Sequence, residues 1–227
     1  MVERMTWRIV LRSGTAAPGD GMPPAVVTLA PQFQHESMPG EVGLLLPTNE
    51  GPKRLIDALA ADPELCGDAI LGLFLAGPFL GAGVDGRRLV RAGVRWIANL
   101  PSVAQQDEEF ARQLTDVGLD LGRELACLAQ FRAQGFKAAA VVADAAGAAG
   151  AAAIAPEAMI VLPRVADFAA GFPSLRQRGS AAQEVAEAAR AARWSGLILG
   201  LADAREAEHE TLWPEPLDGV VCRPAPV

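Results

Sequence analysis

Eight short apolar runs, most of them bounded by turn residues, set the strongest limit on how this chain of 227 residues can fold. The runs span residues 7–11, 25–29, 69–75, 94–98, 138–143, 158–162, 196–201 and 219–222. Because segments with helical periodicity lie between many of them, the pattern indicates an α/β fold with a parallel sheet covered on both faces. Eight such strands predict a closed (β/α)₈ barrel that forms one domain over residues 1–227.

The segments between the runs predict helices of unequal strength. They cover residues 51–61, 85–91, 105–134, 145–155 and 180–193. The third is expected to be two helices broken near Gly118. Gly147 and Gly150 weaken the fourth by roughly 1 kcal/mol each relative to alanine. Ser180 is the expected N-cap of the last helix.

The expected architecture is a reduced TIM barrel, with its first and last outer helices short or absent. Residues 13–24 are too rich in glycine and proline for a first helix, and the sequence stops at Val227, soon after the eighth run. Apolar surface without a helical cover favours burial against another subunit. We therefore expect a homo-oligomer, or a hetero-oligomer with a paralogue. An open, doubly wound sheet is the alternative fold, although no GxGxxG motif follows the first run and no P-loop is present.

Charge and hydropathy argue against several classes of partner. The formal net charge is −7 and there is no basic run, so nucleic-acid binding is not expected. No apolar run reaches the roughly 18 residues needed to span a bilayer, and the first residues lack the apolar core of a signal peptide. Three widely spaced cysteines, Cys66, Cys127 and Cys222, form no CxxC pair. A cytoplasmic protein without a membrane partner is expected.

Asn99, Ser102 and Glu124 are the expected catalytic residues. Asn99 and Ser102 follow the fourth strand, where barrels place their active sites, and can orient a carboxylate or phosphoryl oxygen. Alternatively, Asn99 ends the strand and Ser102 caps the next helix. Glu124 lies on an apolar helix face, where burial raises a carboxyl pKa and suits the group to acid or base chemistry. The alternative for Glu124 is an ion pair with Arg123, Arg112 or another cation.

Three further residues are expected to bind substrate. Asn49, beside Glu50, ends a Leu-Leu-Leu-Pro run and can contact a ligand or a hard cation such as Mg²⁺, or else cap the following helix. Arg164 and Arg223 follow the sixth and eighth strands, where arginine binds carboxylate or phosphate through two hydrogen bonds. A surface salt bridge is the alternative for each arginine.

The sequence does not define a metal. Asp144 and Asp203 follow the fifth and seventh strands and could form an acidic site, yet both precede helical segments and also suit an N-cap. The two histidines are His35, in a loop near the second strand, and His209, in a charged run. They predict neither a histidine metal triad nor a Ser-His-Asp arrangement.

Two segments carry a family resemblance when they are taken together with their spacing. Residues 93–102 are Gly-Val-Arg-Trp-Ile-Ala-Asn-Leu-Pro-Ser, and residues 114–124 are Leu-Thr-Asp-Val-Gly-Leu-Asp-Leu-Gly-Arg-Glu. They resemble the phosphoenolpyruvate hydrolase-like family of TIM-barrel proteins, which has Asn-Phe-Pro-Thr in the first segment. The likeness extends over residues 25–223. It departs at three later turns, where the family's His-Met-Gly, Cys-His-Gly-Gly and Gly-Ala-Ser-Ser correspond to residues 162–164, 199–203 and 222–224.

The resemblance implies an enzyme that acts on a small phospho- or keto-carboxylate by lyase or hydrolase chemistry. It further implies that Mg²⁺ stabilises an enolate-type charge while Asn99, Ser102 and Glu124 position the substrate. The missing histidine turns favour the alternative, a catalytically degenerate paralogue that serves as a partner subunit or scaffold. The sequence leaves both hypotheses open.

Overall fold

The chain folds into a closed barrel of eight strands, an α/β fold. The computed structural model describes residues 4–15, 21–29 and 51–223. The strands are β1 (Arg4–Leu11), β2 (Ala25–Leu29), β3 (Ile70–Gly72), β4 (Trp96–Ala98), β5 (Lys137–Val142), β6 (Ala158–Val161), β7 (Leu197–Ala202) and β8 (Gly219–Cys222). Each strand overlaps one of the eight apolar runs, so the predicted strand positions are confirmed.

β1 runs against the other seven strands, and here the barrel departs from the expected all-parallel arrangement. β2 to β8 pair in order and in parallel, whereas β1 pairs antiparallel with both β2 and β8. The registers Trp7↔Val26 and Arg8↔Cys222 fix its position. The expectation of eight parallel strands is wrong because a parallel neighbour needs a long crossover, usually a helix. The Gly/Pro-rich segment before β2 instead suits a return in the opposite direction.

Six α-helices lie in the described part of the chain. They are α1 (Gly51–Ala61), α2 (Ala82–Arg91), α3 (Glu108–Asp116), α4 (Leu121–Ala133), α5 (Ala145–Ala153) and α6 (Leu175–Ala191). The predicted break near Gly118 is confirmed, since this glycine, with φ 72°, separates α3 from α4. The predicted N-cap at Ser180 is wrong, because Ser174 and Gln177 form a capping box that starts α6 earlier. None of these helices is long and apolar enough to cross a membrane.

Two connections have no α-helix in their described residues. Residues 12–15 and 21–24, between β1 and β2, are irregular. β7 is joined to β8 through two short 3₁₀ helices, Glu206–Glu208 and Glu210–Leu212. On the outer face of β1, Thr6 and Arg8 are exposed. This face is therefore polar, in contrast to the open apolar surface that the sequence predicts.

The interior of the barrel is a packed apolar core. Side chains that alternate inward along the strands form one buried cluster, which includes Trp7, Ile70, Trp96, Ile160, Leu199 and Val221. The opposite side chains pack with the helices in a second cluster. Close packing in the barrel interior, near the carboxyl end of β3, requires glycine at position 72. A Cβ on Gly72 would lie 2.4 Å from Cγ2 of Thr28 and 2.7 Å from the Leu100 carbonyl oxygen.

Candidate functional site

The carboxyl ends of β2 to β8 meet at one edge of the barrel, because these strands run in parallel. We call this edge the carboxyl rim and define it by the first polar residue after each of β4 to β8. The polar residues there are Asn99, Asp144, Arg164, Asp203 and Arg223. These five candidates therefore lie at one edge, but Asn99 is buried, whereas the other four are partly or fully exposed.

Asn99, Ser102 and Glu124 form one hydrogen-bonded cluster, named here the buried trio. Each side chain belongs to a residue with 0% exposed surface. Nδ2 of Asn99 donates to Oε2 of Glu124 at 2.9 Å and to Oγ of Ser102 at 3.1 Å. The Ser102 hydroxyl donates to the same Glu124 oxygen at 2.6 Å. Packing of α4 against the loop after β4 brings these residues together.

The Asn99 side chain extends the pairing of β4 with β5 beyond the last residue of β4. Its Oδ1 accepts from the Val141 backbone N–H at 2.7 Å, and its Nδ2 donates to the Val141 carbonyl at 3.2 Å. The backbone ladder itself ends at the pair Ala98 and Ala139. Asn99 therefore provides hydrogen-bond partners for the buried N–H and carbonyl of Val141, which lie beyond the backbone pairing of β4 with β5.

Ser102 and Glu124 hold the loop that leads from β4 towards α3. Ser102 is the N-cap of a 3₁₀ helix, Val103–Gln105, and its Oγ accepts from the Ala104 N–H at 3.1 Å. Oε1 of Glu124 accepts from the Val103 N–H at 3.0 Å. The capping role considered for Ser102 is thereby confirmed. The loop is fixed at two consecutive backbone N–H groups by side chains of the buried trio.

Burial raises the pKa of Glu124 from 4.5 to about 7, although hydrogen bonds from Asn99, Ser102 and Val103 lower it. No cation in the described residues lies within ion-pair distance of this carboxylate. Arg123, considered as a partner, instead donates from Nε to the Ala76 carbonyl at 2.9 Å. A carboxyl group that titrates near neutrality is suited to proton transfer. Here, however, the group is enclosed, because the whole trio is buried.

Arg164 is held by carboxylates on the carboxyl rim. Its Nη2 lies 2.6 Å from Oδ2 of Asp144, and its Nη1 lies 3.7 Å from Oε1 of Glu108. Asp144 also caps α5, because its Oδ1 accepts from the Gly147 N–H at 2.8 Å. Burial alone would raise the pKa of Asp144, but the Gly147 N–H and the Arg164 guanidinium outweigh burial and lower it. These contacts match the salt-bridge alternative for Arg164 and the N-cap alternative for Asp144.

Asp203 and Arg223 occupy the rim beside β7 and β8. Oδ1 of Asp203 accepts from the backbone N–H groups of Arg205 and Glu206, both at 2.8 Å, and holds the turn that leads into the 3₁₀ helix Glu206–Glu208, whose N-cap is Arg205. The Arg223 guanidinium lies 5.3 Å from the centroid of the Phe168 ring, a cation–π contact. Both residues thus have local structural partners.

Metal ligands have no support among the described residues. No three histidine, cysteine, aspartate or glutamate side chains in that part of the chain lie close enough to hold a metal ion. The Mg²⁺ that the resemblance implies stays a prediction. Asn49, Glu50 and His35 lie outside the described residues, and their predicted roles stay predictions. His209 is exposed, as its charged surroundings predict.

Several polar groups of the site and of the barrel interior were not evident from the sequence. The backbone N–H groups of Val103 and Val141 complete the trio, but spacing alone does not reveal which backbone groups face a side chain. Nε1 of Trp7 and Oγ1 of Thr28 are buried without a hydrogen-bond partner in the described residues. The alternation of side chains along a strand could have indicated these two residues, because it directs both side chains into the barrel interior.

Comparison with known proteins gives no family assignment. No family model matches this chain, and no curated protein matches it. The closed eight-stranded barrel is the part of the expected resemblance that the structure supports. The function must therefore be argued from the geometry of the site.

Proposed function

We propose that this chain is a catalytically degenerate barrel that serves as a partner subunit or scaffold, and that the buried trio is a structural joint. The proposal rests on the burial and the internal hydrogen bonding of the trio. Asn99, Ser102 and Glu124 are fully buried, and their hydrogen bonds join them to one another and to the adjoining backbone. In this conformation the trio therefore presents no open group to a substrate.

Opening the trio would carry a substantial free-energy cost. The Ser102 hydroxyl, the Asn99 amide and the Val103 N–H all donate to the Glu124 carboxylate. A buried polar group left without a partner costs about 1–3 kcal/mol. A substrate that reached Glu124 would have to replace these bonds one for one. Because these hydrogen bonds are already formed within the protein, they favour a structural role for Glu124 over a role in substrate binding.

The charges on the carboxyl rim support the same proposal. Arg164 is paired with Asp144, and Arg223 lies over the Phe168 ring. The three turns at which the resembled family departs from this chain contain no histidine here. Histidine is the side chain that ordinarily exchanges protons near neutral pH, whereas arginine stays charged. The rim thus favours structural pairing over acid–base chemistry.

A second candidate function rests on the pKa of Glu124, which lies at about 7. A general acid or base works best when its pKa lies near the operating pH. In this alternative the chain is a phosphoenolpyruvate hydrolase-like lyase or hydrolase that acts on a small phospho- or keto-carboxylate. Glu124 would exchange the proton once the loop after β4 had moved aside, and Arg164, Arg223 and Asn49 would bind the acid groups of the substrate.

Phosphorus-31 NMR with phosphoenolpyruvate and phosphonopyruvate distinguishes the two candidates. We expect the purified protein to release no phosphate from either compound, with or without Mg²⁺, because the trio is closed. Glu124→Gln is the matched control, since glutamine keeps the size of the side chain but cannot exchange the proton. Phosphate release by the native chain that disappears in this variant would establish the enzyme and contradict the scaffold.

Light scattering on the same sample addresses the partner-subunit part of the proposal. The outer face of β1 carries the exposed polar side chains of Thr6 and Arg8, so a partner that docked there would make polar contacts rather than bury an apolar surface. We expect a homo-oligomer or a stoichiometric complex with a paralogue. A monodisperse monomer, both alone and mixed with the paralogue, would contradict this part.

A further inference from the structure

The Glu124 carboxylate is surrounded by hydrogen-bond donors, and only one of them can also accept. The Val103 N–H donates to Oε1, whereas Nδ2 of Asn99 and the Ser102 hydroxyl donate to Oε2. A backbone N–H and an amide nitrogen cannot accept, but a serine hydroxyl has one hydrogen to donate and two lone pairs that accept. Among its bonded neighbours in the described residues, Ser102 is therefore the one that can accept a proton from Glu124.

The Asn99 amide cannot take over this role, because the Val141 backbone fixes its orientation. Oδ1 of Asn99 accepts from the Val141 N–H at 2.7 Å, and Nδ2 donates to the Val141 carbonyl at 3.2 Å. Turning the amide over would place donor against donor and acceptor against acceptor. Each buried group that loses its partner costs about 1–3 kcal/mol. Nδ2 therefore faces Glu124 whether or not the carboxyl group holds a proton.

The Ser102 oxygen already uses its full hydrogen-bonding capacity. It accepts from the Ala104 N–H, which it caps at the start of the 3₁₀ helix, and from Nδ2 of Asn99, both at 3.1 Å. Its own hydrogen goes to Oε2 of Glu124 across 2.6 Å, a distance that suits a hydroxyl bond in either direction. If Glu124 donated across this contact, the serine hydrogen would have to take the direction of one of the two N–H donors.

The Ala104 N–H is the donor with more to lose in that exchange. Nδ2 of Asn99 keeps two other acceptors, Oε2 of Glu124 at 2.9 Å and the Val141 carbonyl. The Ala104 N–H donates to no other group in the part of the chain that the structure describes. A proton on Glu124 therefore weakens the cap of the 3₁₀ helix.

The ionisable groups of α4 leave Glu124 to titrate near neutrality. Burial raises its pKa to about 7 against the three hydrogen bonds that it accepts, and the Asp120 carboxylate adds to the rise. Arg123 donates from Nε to the Ala76 carbonyl. Burial, together with the charge of Glu124, raises the pKa of Cys127 to about 11. Cys127 therefore stays a neutral thiol while Glu124 titrates.

The elements packed against this part of α4 contribute few ionisable groups. β4, α5 and the 3₁₀ helix Val103–Gln105 contain none. Asp144, which caps α5, accepts from a backbone N–H of that helix, and Asp85 of α2 accepts from the Gly81 N–H. Lys137 begins β5, at the opposite end of that strand from the trio. The titration in this region therefore belongs to the carboxyl group of the trio.

We propose that the buried trio is a proton-sensitive switch, in which proton uptake by Glu124 reverses its hydrogen bond with Ser102 and releases the Ala104 N–H. This inference rests on the proposed function, because it requires the trio to be closed. In the ionised form Ser102 donates to Oε2 and caps the 3₁₀ helix. In the protonated form Oε2 carries the proton and donates it to Ser102, and the cap is weakened. The loop that leads from β4 towards α3 therefore differs between slightly acidic and slightly alkaline pH.

A pH titration of the native chain by NMR tests the switch, because it follows the proton and the cap separately. The carboxyl-carbon signal of Glu124, assigned by its loss in Glu124→Gln, should titrate near pH 7. The Ala104 amide proton should move upfield with the same midpoint as the pH falls, because its hydrogen bond weakens. Gln177 is the internal control. Its N–H donates to the Ser174 hydroxyl of another serine cap, whose hydrogen goes to an amide oxygen that does not titrate. The Gln177 signal should stay constant.

Two variants assign the Ala104 response to the Ser102 hydroxyl. Ser102→Ala should abolish the titration of the Ala104 amide while the Glu124 carboxyl carbon still titrates. Ser174→Ala, at the exposed cap of α6, is the matched control and should leave the Ala104 titration unchanged.

The switch is overturned if the Ala104 signal of the native chain stays constant while Glu124 titrates, a measurement that needs no variant to fold. It is also overturned if Ala104 titrates equally in Ser102→Ala, or if the Glu124 carbon does not titrate between about pH 5 and pH 9. These results leave the trio closed. Failure of the proposed function gives a different result, the release of phosphate from phosphoenolpyruvate by the native chain.

Discussion

Replacement of Asn99 by alanine is expected to lower the free energy of unfolding by about 3–5 kcal/mol. The substitution removes the acceptor for the Val141 N–H and the donor to the Val141 carbonyl. It also takes one hydrogen-bond donor from Glu124, which stays buried. Each buried group left without a partner adds its desolvation cost, and the groups belong to one network. Urea denaturation followed by circular dichroism measures the change.

Asp107→Ala is the control for Asn99→Ala. Asp107 is exposed and caps α3 by accepting from the Phe110 N–H at 2.9 Å. Loss of an N-cap costs about 1 kcal/mol, so the control variant should be only mildly destabilised. An Asn99→Ala effect no larger than that of Asp107→Ala would contradict the structural role of the trio. A stable Asn99→Ala variant that had lost activity would make Asn99 a functional residue instead.

The second large expected effect is a dependence of folding stability on pH that arises from Glu124. Relative to Glu124→Gln, the native chain is expected to lose about 3 kcal/mol of stability as the pH rises from 4.5 to about 7. Burial raises the pKa of this carboxyl, so in that interval the folded chain keeps a proton that the unfolded chain has released. Unfolding therefore releases a proton, and rising pH favours the unfolded chain. Above the folded-state pKa the difference should be constant.

Glutamine at position 124 isolates this effect because it has a similar size and does not titrate. Other carboxylates act in the opposite direction. The pKa values of Asp144 and Glu210 lie below their ordinary values, so the stability they contribute is lost as the pH falls. These contributions are common to both chains and cancel in the comparison. A stability of the native chain, relative to that of Glu124→Gln, that stays constant or rises between pH 4.5 and 7 would contradict the raised pKa.

The strands could be predicted because burial on both faces produces uninterrupted apolar runs, as in β5 and β6. The direction of β1 could not be predicted in the same way. Its alternation of buried Trp7 and Ile9 with exposed Thr6 and Arg8 is compatible with either direction. The direction depends on the connection to β2 and on the pairing with β8, which lies at the other end of the chain.

The members of the buried trio could be predicted one by one, but their mutual contact could not. Asn99 and Ser102 stand at a strand end, and Glu124 lies on an apolar helix face. Their bonding depends on how α4 packs against the loop after β4, which is a tertiary property.

Native-state hydrogen exchange at the Val103 and Val141 amides tests the closure of the buried trio most directly. These N–H groups donate to Glu124 and Asn99 inside the trio. If the trio is a structural joint, both amides exchange only when the barrel unfolds, with the same free energy as the amides that pair β5 with β6. Exchange of Val103 through a local opening of much lower free energy would contradict the joint. The loop after β4 would then open towards Glu124, as the catalytic alternative requires.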